Sequence, residues 1–251
     1  MVFNNYAKYY DLLYKDKDYK KEVDYIDSLI KQHSSNKNLR ILDIGCGTGI
    51  HANYLSEKGY HVTGIDFSEE MIEIAKKNKK KNTDFYLADA TNFEFDTKFD
   101  IILSLFHVVS YQSKNEDISK MFSHVSKHLT SKGLFIFDFW YGSAVLNEVP
   151  SVKIKRFENE EIKVVRIAEP DVYSAENIVD VNYDIIIYNK KDKKVDFINE
   201  THKMRYLFLP EIDNFINNSE MVIVNYGEWF TNFKPSPATW GVYCIAKKTD
   251  N

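Results

Sequence analysis

The sequence predicts an α/β protein with a doubly wound parallel sheet, into which a separate antiparallel sheet is inserted. Three observations support this prediction. Over residues 18–139 short apolar strands alternate with amphipathic helices, which is typical of a parallel sheet covered by helices on both faces. Over residues 152–209 strand-like runs follow one another without a helix between them. A chain of 251 residues is long enough for one large α/β domain with an insertion.

The first part of the chain contains five predicted strands and the helices between them. The strands are short apolar runs, and the helices carry apolar residues three and four positions apart. Ser68 is a favourable N-cap, because Glu69 and Glu70 follow it in the first helical turn. The predicted strands are 40–44, 61–66, 83–87, 99–105 and 133–139, and the predicted helices are 18–32, 49–58, 68–78 and 116–129.

The second part of the chain changes to consecutive strands. The strand-like runs are 152–157, 162–168, 179–188, 195–199 and 202–209. Polar residues 189–194 predict a hairpin loop. A short helix at 210–217 and two strands at 221–226 and 241–247 complete the main sheet. We therefore predict one domain from residues 1–149 and 210–251, with residues 150–209 as an inserted antiparallel sheet that binds substrate or mediates an interaction.

Composition and charge limit the partners that we expect. The net charge is −4 and the pI is near 6.0, so no overall basic field attracts nucleic acid. Two cysteines, Cys46 and Cys244, are too few for a disulfide framework in a chain of this size. No apolar run reaches the roughly 20 residues of a membrane span, and the N-terminus lacks the pattern of a signal peptide. We expect a cytoplasmic monomer or homodimer whose partner is a small molecule, without nucleic acid or membrane.

A glycine-rich loop follows the first predicted strand, in the run Leu42-Asp43-Ile44-Gly45-Cys46-Gly47-Thr48-Gly49. Glycine permits a tight turn, and its missing Cβ lets the backbone approach a ligand closely. Asp66 ends the second strand, 21 residues after Gly45, where a carboxylate can accept hydrogen bonds from both hydroxyls of a ribose. These features predict a cofactor that contains adenosine, and they leave NAD among the candidates.

The detailed spacing of the loop favours a methionine-containing cofactor over a dinucleotide. The pattern here is G-x-G-x-G, whereas dinucleotide-binding loops have G-x-G-x-x-G. Asp43 lies two residues before the first glycine, where it would repel a pyrophosphate. A carboxylate at that position suits an ammonium group instead, which indicates S-adenosylmethionine (SAM).

Residues 36–140 resemble the class I SAM-dependent methyltransferases, which have a Rossmann-like sheet. The resemblance rests on the loop, on Asp66, on Ala88-Asp89-Ala90 after the third strand and on Ser104-Leu105-Phe106-His107 after the fourth. It implies SAM as methyl donor, S-adenosylhomocysteine as product and no metal. The implied cofactor contacts are Asp43, Gly45, Cys46, Gly47 and Gly49 near the methionine moiety, Asp66 at the ribose, Phe67, Met71, Ala88, Asp89 and Ala90 around the adenine, and Ser104 and Leu105 beneath the methionine. For Phe67 and Met71, simple core packing is the alternative.

A second resemblance concerns the acceptor of the methyl group. The N-terminal run Tyr6-Ala7-Lys8-Tyr9-Tyr10-Asp11-Leu12-Leu13-Tyr14, followed by Lys17-Asp18-Tyr19, is similar to that of sugar-nucleotide N-methyltransferases. Those enzymes dimethylate the amino group of a nucleotide-linked deoxyamino sugar, and they share an antiparallel sheet after the fifth strand. Their nucleotide-binding residues have no one-to-one match here. Three alternatives therefore stay open: a small-molecule O-methyltransferase, a methyltransferase of protein or RNA, and a SAM-binding protein without turnover.

Candidate catalytic and substrate-binding residues lie beyond the strand ends and in the inserted sheet. His107 follows a central strand, where open α/β sheets bind ligands, and an imidazole there can act as general base or be purely structural. Tyr14 can shape the site or accept a hydrogen bond, with a core aromatic as the alternative. The remaining substrate candidates are Trp140 and Tyr141 as pocket walls, and Arg156, His202 and Arg205 as partners of a phosphate or carboxylate or as part of a solvated strand face. The seven histidines show no H-x-x-x-H spacing, so we expect no metal site.

Overall fold

Two β-sheets, one of seven strands and one of four, organise the chain in the computed structural model, which describes residues 13–14, 17–34 and 38–249. The helices are α1 (Tyr19–His33), α2 (Ile50–Glu57), α3 (Glu69–Lys77), α4 (Asn115–His128), α5 (Gly142–Asn147) and α6 (Leu209–Asn217), with a 3₁₀ helix at Val108–Tyr111. The strands are β1 (Arg40–Ile44), β2 (His61–Asp66), β3 (Thr83–Leu87), β4 (Phe99–Ser104), β5 (Leu129–Trp140), β6 (Lys153–Glu158), β7 (Ile162–Tyr173), β8 (Ile178–Asn189), β9 (Val195–Arg205), β10 (Met221–Glu228) and β11 (Gly241–Lys248).

The seven-stranded sheet has the order β10-β11-β5-β4-β1-β2-β3. Strands β1 to β5 pair in parallel, and β11 pairs antiparallel with both β5 and β10. The strand order reverses beside β1, whose two neighbours are β2 and β4. Open α/β sheets bind their ligands at the carboxyl ends of the strands beside such a switch point. The predicted doubly wound fold is therefore confirmed, and it directs attention to the segments that follow β1 and β4.

Helices cover both faces of the large sheet. On one face α1, α2 and α3 bury Ile26, Leu55 and Ile72 in a shared apolar cluster. On the other face α4 and α6 contribute Phe122 and Phe215 to a second cluster. Full burial of one such side chain contributes about 1.5–3 kcal/mol, so packing against the sheet holds these helices in place. None of the helices among the described residues is long and apolar enough to span a membrane.

Side-chain caps fix where two of these helices begin. The Asp18 carboxylate accepts a hydrogen bond from the Lys21 backbone N–H at 2.9 Å at the start of α1. Ser68 Oγ accepts one from the Met71 N–H at 3.3 Å at the start of α3, which confirms the predicted N-cap. A cap of this kind is worth about 1 kcal/mol. Because α3 begins at a fixed point, the cap also fixes the short turn that links it to the end of β2.

The inserted sheet is antiparallel, with the order β6-β7-β8-β9, as the sequence predicted. The predicted break between strands 195–199 and 202–209 is wrong, because β9 runs unbroken and Glu200 and Thr201 pair with Tyr183 and Asn182 of β8. Their polar side chains project from opposite faces of a continuous strand rather than from a turn. The structure adds the short helix α5, and it starts β5 at Leu129, four residues earlier than predicted.

The inserted sheet leaves and rejoins the main domain at one place. The backbone N–H of Leu207 donates to the Trp140 carbonyl at 2.9 Å, and the Gly142 N–H donates to the Leu207 carbonyl at 2.9 Å. The Arg205 guanidinium, at the end of β9, bonds to Asn115 Oδ1 at 2.6 Å and to Glu211 Oε1 at 3.0 Å. Backbone and side chain thus anchor the same junction. The assignment of residues 1–149 and 210–251 to one domain, with residues 150–209 as an insertion, stays a prediction.

Candidate active site

A cavity of about 790 Å³ opens at the carboxyl ends of β1, β2 and β4. The main domain supplies the loop after β1, the segment after β2 and the segment after β4. The inserted sheet supplies the opposite wall, with Val181, Tyr183, His202 and Met204, and Tyr14 and Tyr19 complete it near the N-terminus. The cavity therefore lies between the two sheets, at the switch point that the strand order identifies.

Two glycines of the loop after β1 have different roles. Both have left-handed backbones, with φ of +75° at Gly45 and +54° at Gly47, which glycine adopts without strain. A Cβ on Gly45 would lie 2.4 Å from Cγ2 of Val108, so this residue must be small for the loop to pack on the 3₁₀ helix. A Cβ on Gly47 would meet nothing within 4 Å. The empty space beside Gly47 belongs to the cavity and is available to a ligand.

Asp66 connects the loop to the segment after β2. Its Oδ2 accepts a hydrogen bond from the Gly47 N–H at 2.9 Å, and its Oδ1 accepts one from the Ser68 N–H at 2.9 Å. Burial raises the pKa of this carboxyl, while the backbone N–H groups oppose the rise. Each carboxylate oxygen can accept a second hydrogen bond. Asp66 therefore shapes the loop and can still accept the two hydroxyls of a ribose.

Asp43 is a buried acid that faces the cavity. Its exposed fraction is 2%, and burial raises its pKa to about 6, with a further contribution from Asp66 that His51 opposes. Its Oδ2 has no hydrogen-bond partner among the described residues. A buried carboxylate without a partner is costly, so its position in the cavity wall fits a cationic ligand group such as the ammonium of SAM.

Apolar surface lines the cavity beyond Asp66. Phe67 exposes 57% of its surface at the cavity edge, whereas Met71 is buried and reaches the cavity from α3. Asp89 Oδ1 accepts hydrogen bonds from the backbone N–H of Thr91 at 2.7 Å and from its hydroxyl at 2.8 Å. Ala88 and Ala90 also line this end. The combination of an exposed ring, small apolar residues and one carboxylate suits an adenine.

His107 lies at the start of the 3₁₀ helix, next to a buried carboxylate. Phe106 and His107 both have left-handed backbones, with φ of +61° and +66°, which turns the chain sharply after β4. Asp138 of β5 accepts the His107 backbone N–H at 3.2 Å through both oxygens, and His107 Nδ1 lies 2.7 Å from Asp138 Oδ2. This last contact has the length of an ion pair but lacks the alignment of a ring N–H hydrogen bond. Asp138 thus holds the backbone of His107 by hydrogen bonds and lies beside its ring, where a carboxylate can support a general base.

The sequence interpretation did not include Asp138, although a signal was present. It is the only charged residue in the apolar run Leu134–Trp140. A carboxylate that is 2% exposed in a central strand needs a partner, because an unpaired buried charge is strongly destabilising. The rule that buried charges are paired would have predicted a cation or a hydrogen-bond donor beside Asp138.

Tyr14 lies between the main domain and the inserted sheet. Its ring packs edge to face on Phe106, with 5.3 Å between ring centroids. Its hydroxyl accepts a hydrogen bond of 3.4 Å from Arg166, whose guanidinium also lies 5.2 Å from the Tyr183 ring. Burial raises the pKa of Tyr183 to about 12, with Tyr14 adding to the rise and Arg166 opposing it. The run Tyr6–Leu12 of the second resemblance lies outside the described residues.

Lys17 is a cation near this part of the cavity, and its ammonium lies over the Phe106 ring. Its Nζ lies 3.5 Å from the centroid of the Phe106 ring and 2.9 Å from Glu22 Oε2. The same Glu22 oxygen is 2.7 Å from His51 Nε2. Burial lowers the pKa of Lys17, and Glu22 opposes the change. The ammonium is thus engaged by a carboxylate and a ring face, and Lys17 does not line the cavity.

Five of the predicted site residues do not line the cavity. Gly49 begins α2, and Ser104 is fully buried in β4. The Tyr141 ring packs on Phe208. Arg156 lies exposed on β6, at the edge of the inserted sheet, and Arg205 is committed to Asn115 and Glu211. The structure therefore does not bring Tyr141, Arg156 or Arg205 to the acceptor side, whereas Trp140 and His202 do line it.

Sequence reasoning also missed residues that the fold brings to the cavity. Those from the main domain lie beside recognised motifs, and the rule that ligands bind after strand ends could have found them. Those from the inserted sheet carry no local signal. The missed residues include Thr48, Ile50, His51, Ser68, Val108, Tyr111, Gln112, Val181, Tyr183 and Met204. No group of three or more His, Cys, Asp or Glu residues that could hold a metal occurs within 13–14, 17–34 and 38–249.

Comparisons with known proteins find similarity to methyltransferases. Residues 41–133 match the family described as a methyltransferase domain. YqeM of Bacillus subtilis, a protein named as a methyltransferase, is 25% identical over 252 residues, covering 99% of this chain and 98% of YqeM. The dTDP-3-amino-3,4,6-trideoxy-α-D-glucopyranose N,N-dimethyltransferase of Streptomyces venezuelae is 27% identical over 139 residues, which cover 55% of this chain and 58% of that enzyme.

The structural comparison extends the likeness to the inserted sheet. The solved structure of SAM-bound CalS10, an amino pentose methyltransferase of Micromonospora echinaspora, has a TM-score of 0.77 with this chain at 18% identity. The superposition covers 99% of this chain and 98% of that chain. At this level of identity the match shows a common fold, which includes both sheets.

Proposed function

This chain is a SAM-dependent methyltransferase, and we propose that it methylates an amine nitrogen of a small molecule. The observation that carries the proposal is the composition of the cavity wall around His107. None of the described residues that line the cavity is Lys or Arg. Six aromatic residues line its acceptor side: Tyr14, Tyr19, Phe106, Tyr111, Trp140 and Tyr183.

A wall of this kind favours a cationic acceptor. An ammonium group is attracted to the faces of aromatic rings, by about 0.5–2 kcal/mol per contact. Asp138, buried beside His107, adds a carboxylate behind this wall, whereas an anionic acceptor would find no Lys or Arg among the described residues that line the cavity. An amine that arrives as its ammonium form therefore fits this cavity better than a phosphate or carboxylate would.

The His107–Asp138 pair supplies the proton transfer that amine methylation needs. SAM, when bound at the loop, offers an electrophilic methyl group on a positively charged sulfur. His107 accepts the proton that the nitrogen must lose, and Asp138 stabilises the imidazolium that forms. The N–CH₃ bond forms as the S–CH₃ bond breaks, and the electron pair of the broken bond goes to sulfur. The aromatic wall excludes water and holds the nitrogen in line.

The residues that we propose for SAM would contact its methionine moiety, its ribose and its adenine. The unpartnered oxygen of Asp43 would bind the ammonium, and the Gly47 backbone would pass beside the methionine moiety. Asp66 would accept the ribose hydroxyls. The ring of Phe67, with Met71 and Ala88–Ala90, would surround the adenine.

An amino sugar linked to a nucleotide is the finer proposal for the acceptor. The similarity to the Streptomyces venezuelae enzyme supports it, as does the resemblance of the N-terminal run. Because the described cavity wall lacks Lys and Arg, only the amino sugar would enter, and the phosphates would lie outside. A small-molecule O-methyltransferase is the second candidate, since a His–Asp pair also suits the stronger base that a hydroxyl requires.

Radiolabelled SAM distinguishes these candidates. The purified protein is incubated with dTDP-3-amino-3,4,6-trideoxyglucose, with free 3-amino-3-deoxyglucose, with phenethylamine, with catechol, and with protein and RNA fractions. Label in at least one amine supports the proposal. Label confined to catechol, protein or RNA, or no label at all, contradicts it. His107→Ala should abolish most of the transfer, whereas His61→Ala, on the exposed start of β2, serves as the matched control.

A further inference from the structure

We propose that His128 is a positioning residue for the cofactor. Its unprotonated Nε2 holds the segment between β3 and β4 in the conformation that receives the adenine, and protonation of Nε2 releases this segment and weakens binding. The inference deepens the proposed function and rests on it, because it takes Ala88–Ala90 as the contact with the adenine. It concerns the shape of the cofactor half of the cavity, away from the reacting groups.

Two backbone anchors hold this segment. At its start, the Ala88 N–H donates to the Asp66 carbonyl at 3.0 Å. At its end, the Phe95 N–H donates to His128 Nε2 at 3.1 Å. The part that lines the cavity, Ala88–Ala90, lies between these anchors. Its position therefore depends on β2 at one end and on α4 at the other.

The His128 ring is buried at the end of α4, against the segment that it holds. His128 is 1% exposed, and its ring centroid lies 4.8 Å from that of Phe93. One turn earlier on α4, His124 Nδ1 lies 3.0 Å from the Phe93 carbonyl. Phe93 belongs to the apolar cluster on which Ala88 and Ala90 pack. A displacement at the end of the segment is therefore transmitted to the cavity wall.

The backbone partners determine the protonation state of this ring. A backbone N–H is always a donor, so Nε2 must carry a lone pair to accept from Phe95. The His124 carbonyl is always an acceptor and lies 2.7 Å from Nδ1, so Nδ1 must carry the proton. His128 is thus neutral in this arrangement. Burial, which lowers the pKa of His128, favours the same form.

A proton on Nε2 replaces one partner by another. Two N–H groups cannot share a hydrogen bond, so Phe95 loses its acceptor when Nε2 is protonated. The Glu94 carboxylate, with Oε2 at 3.7 Å from Nε2, can accept from the imidazolium instead. Lys127, 2.6 Å from Glu94, and His124, whose ring stacks at 6.3 Å, are the other titratable groups that bear on the ring. The same nitrogen thus has a backbone partner when neutral and a carboxylate partner when charged.

NMR observes this hydrogen bond directly. The full-length protein, labelled with ¹⁵N, is measured at about pH 7.5, above the ordinary pKa of imidazole. His128 is assigned by comparison with the spectrum of His128→Gln. We expect a proton on Nδ1, none on Nε2, and a scalar coupling between the Phe95 amide nitrogen and Nε2 through the hydrogen bond. A proton on Nε2 under these conditions would overturn the proposal.

Binding of 5′-methylthioadenosine tests the link to the adenine. This probe has the adenosine of SAM but no ammonium, so it does not depend on an ion pair with Asp43. His128→Gln keeps an oxygen that can accept from Phe95 but does not titrate, and it should bind like wild type at the higher pH. Because the binding form of His128 is neutral, wild-type affinity should fall as the pH drops through its pKa. The ratio of the wild-type dissociation constant to that of His128→Gln should increase about threefold or more from about pH 7.5 to 5.

Two further variants separate positioning from structural support. His128→Leu leaves the Phe95 N–H unpaired at every pH, so it should bind the probe about 10-fold more weakly than wild type at the higher pH. His61→Gln, on the exposed start of β2, should follow wild type at both pH values. A purely structural role would lower the free energy of unfolding of His128→Leu but leave the affinity of the folded variant unchanged.

That result, or a ratio of wild type to His128→Gln that does not change with pH, would overturn the proposal. Absence of probe binding by the wild type would overturn it as well, because the adenine contact would be wrong. None of these measurements uses a methyl acceptor. Label confined to catechol, protein or RNA would therefore contradict the proposed amine acceptor alone, so the two failures are distinguishable.

Discussion

We expect Asp43 to destabilise the free protein and to stabilise its complex with the cofactor. Its pKa in the folded protein, about 6, lies above the ordinary value of 3.8, because burial disfavours the charged form. Because the pKa is higher in the folded than in the unfolded protein, the free energy of unfolding decreases as the pH rises through 6. An ammonium beside the unpartnered oxygen reverses that penalty. If Asp43 binds the ammonium as proposed, the same carboxylate lowers the stability of the free protein and raises its affinity for SAM.

Asp43→Asn should separate the two effects. We expect the free variant to be more stable than wild type by up to about 3 kcal/mol near pH 8, and by nearly nothing near pH 4. Its affinity for SAM should fall by about 10-fold or more, because a charge-assisted hydrogen bond is lost. Urea unfolding across pH and isothermal titration with SAM measure the two quantities. Wild-type affinity in the variant would show that the ammonium binds elsewhere.

His107 and Asp138 should act on the rate rather than on cofactor binding. His107→Ala is expected to lower kcat by about 100-fold, a typical share for one general base. Asp138→Asn keeps the volume but removes the charge that stabilises an imidazolium, so kcat should fall as well. The dissociation constant for SAM should stay unchanged, since the proposed cofactor contacts come from other residues. Steady-state kinetics with parallel titration check this, and a joint loss of SAM binding would make His107 structural.

At the scale of elements, the loop after β1 and the 3₁₀ helix after β4 support each other. Gly45 packs so closely on Val108 that no side chain fits, and the same 3₁₀ helix extends from His107 to Tyr111. The segment that we propose for the cofactor therefore contacts the segment that we propose for the acceptor at this point. A disturbance on one side should be transmitted to the other.

Gly45 and Gly47 form a matched pair for testing whether the loop depends on close packing against the 3₁₀ helix. Both residues have positive φ, so alanine at either adds backbone strain of about 1–2 kcal/mol. Gly45→Ala also collides with Val108, which should cost about 1–3 kcal/mol more. Gly47→Ala should stay folded but bind SAM more weakly, because its Cβ occupies cavity space. Chemical unfolding and titration compare the variants, and equal losses of stability would contradict the packing argument.

Where the signal is local, the sequence predicts which elements form and which of their residues line the cavity. The loop at Gly45–Gly49 and His107 follow strand ends and Asp66 is the last residue of β2, so motif and topology locate them together. The acceptor wall depends instead on strand register, in which His202 pairs with Val181. A period-two pattern with polar residues on both faces does not show which face meets the cavity. For that reason Tyr183 and Met204 could not be predicted, and the sequence left open whether Arg156 and Arg205 bind a ligand or belong to a strand face.

At the scale of the whole molecule, Arg205 stabilises the junction of the two sheets. Arg205→Met should lower the free energy of unfolding by about 1–3 kcal/mol, because Asn115 and Glu211 lose a charged donor at a mostly buried site. Arg156→Met on the exposed β6 strand should change it by less than about 0.5 kcal/mol. Thermal and urea unfolding of both variants provide the comparison. A similar stability for the two would show that the junction does not depend on Arg205.

The closed junction at Trp140, Gly142 and Leu207 makes the intervening segment exchangeable. Because its two ends are hydrogen-bonded to each other, the spacing between them does not depend on what lies between. Lengthening a closed segment costs only about 0.6 kcal/mol per doubling, so transplanted or enlarged versions need not disturb the seven-stranded sheet. A donor segment would have to bring its own partners for Tyr111 and Asn115. Under that condition, replacing this one continuous segment would give the same methyltransferase sheet a different acceptor specificity.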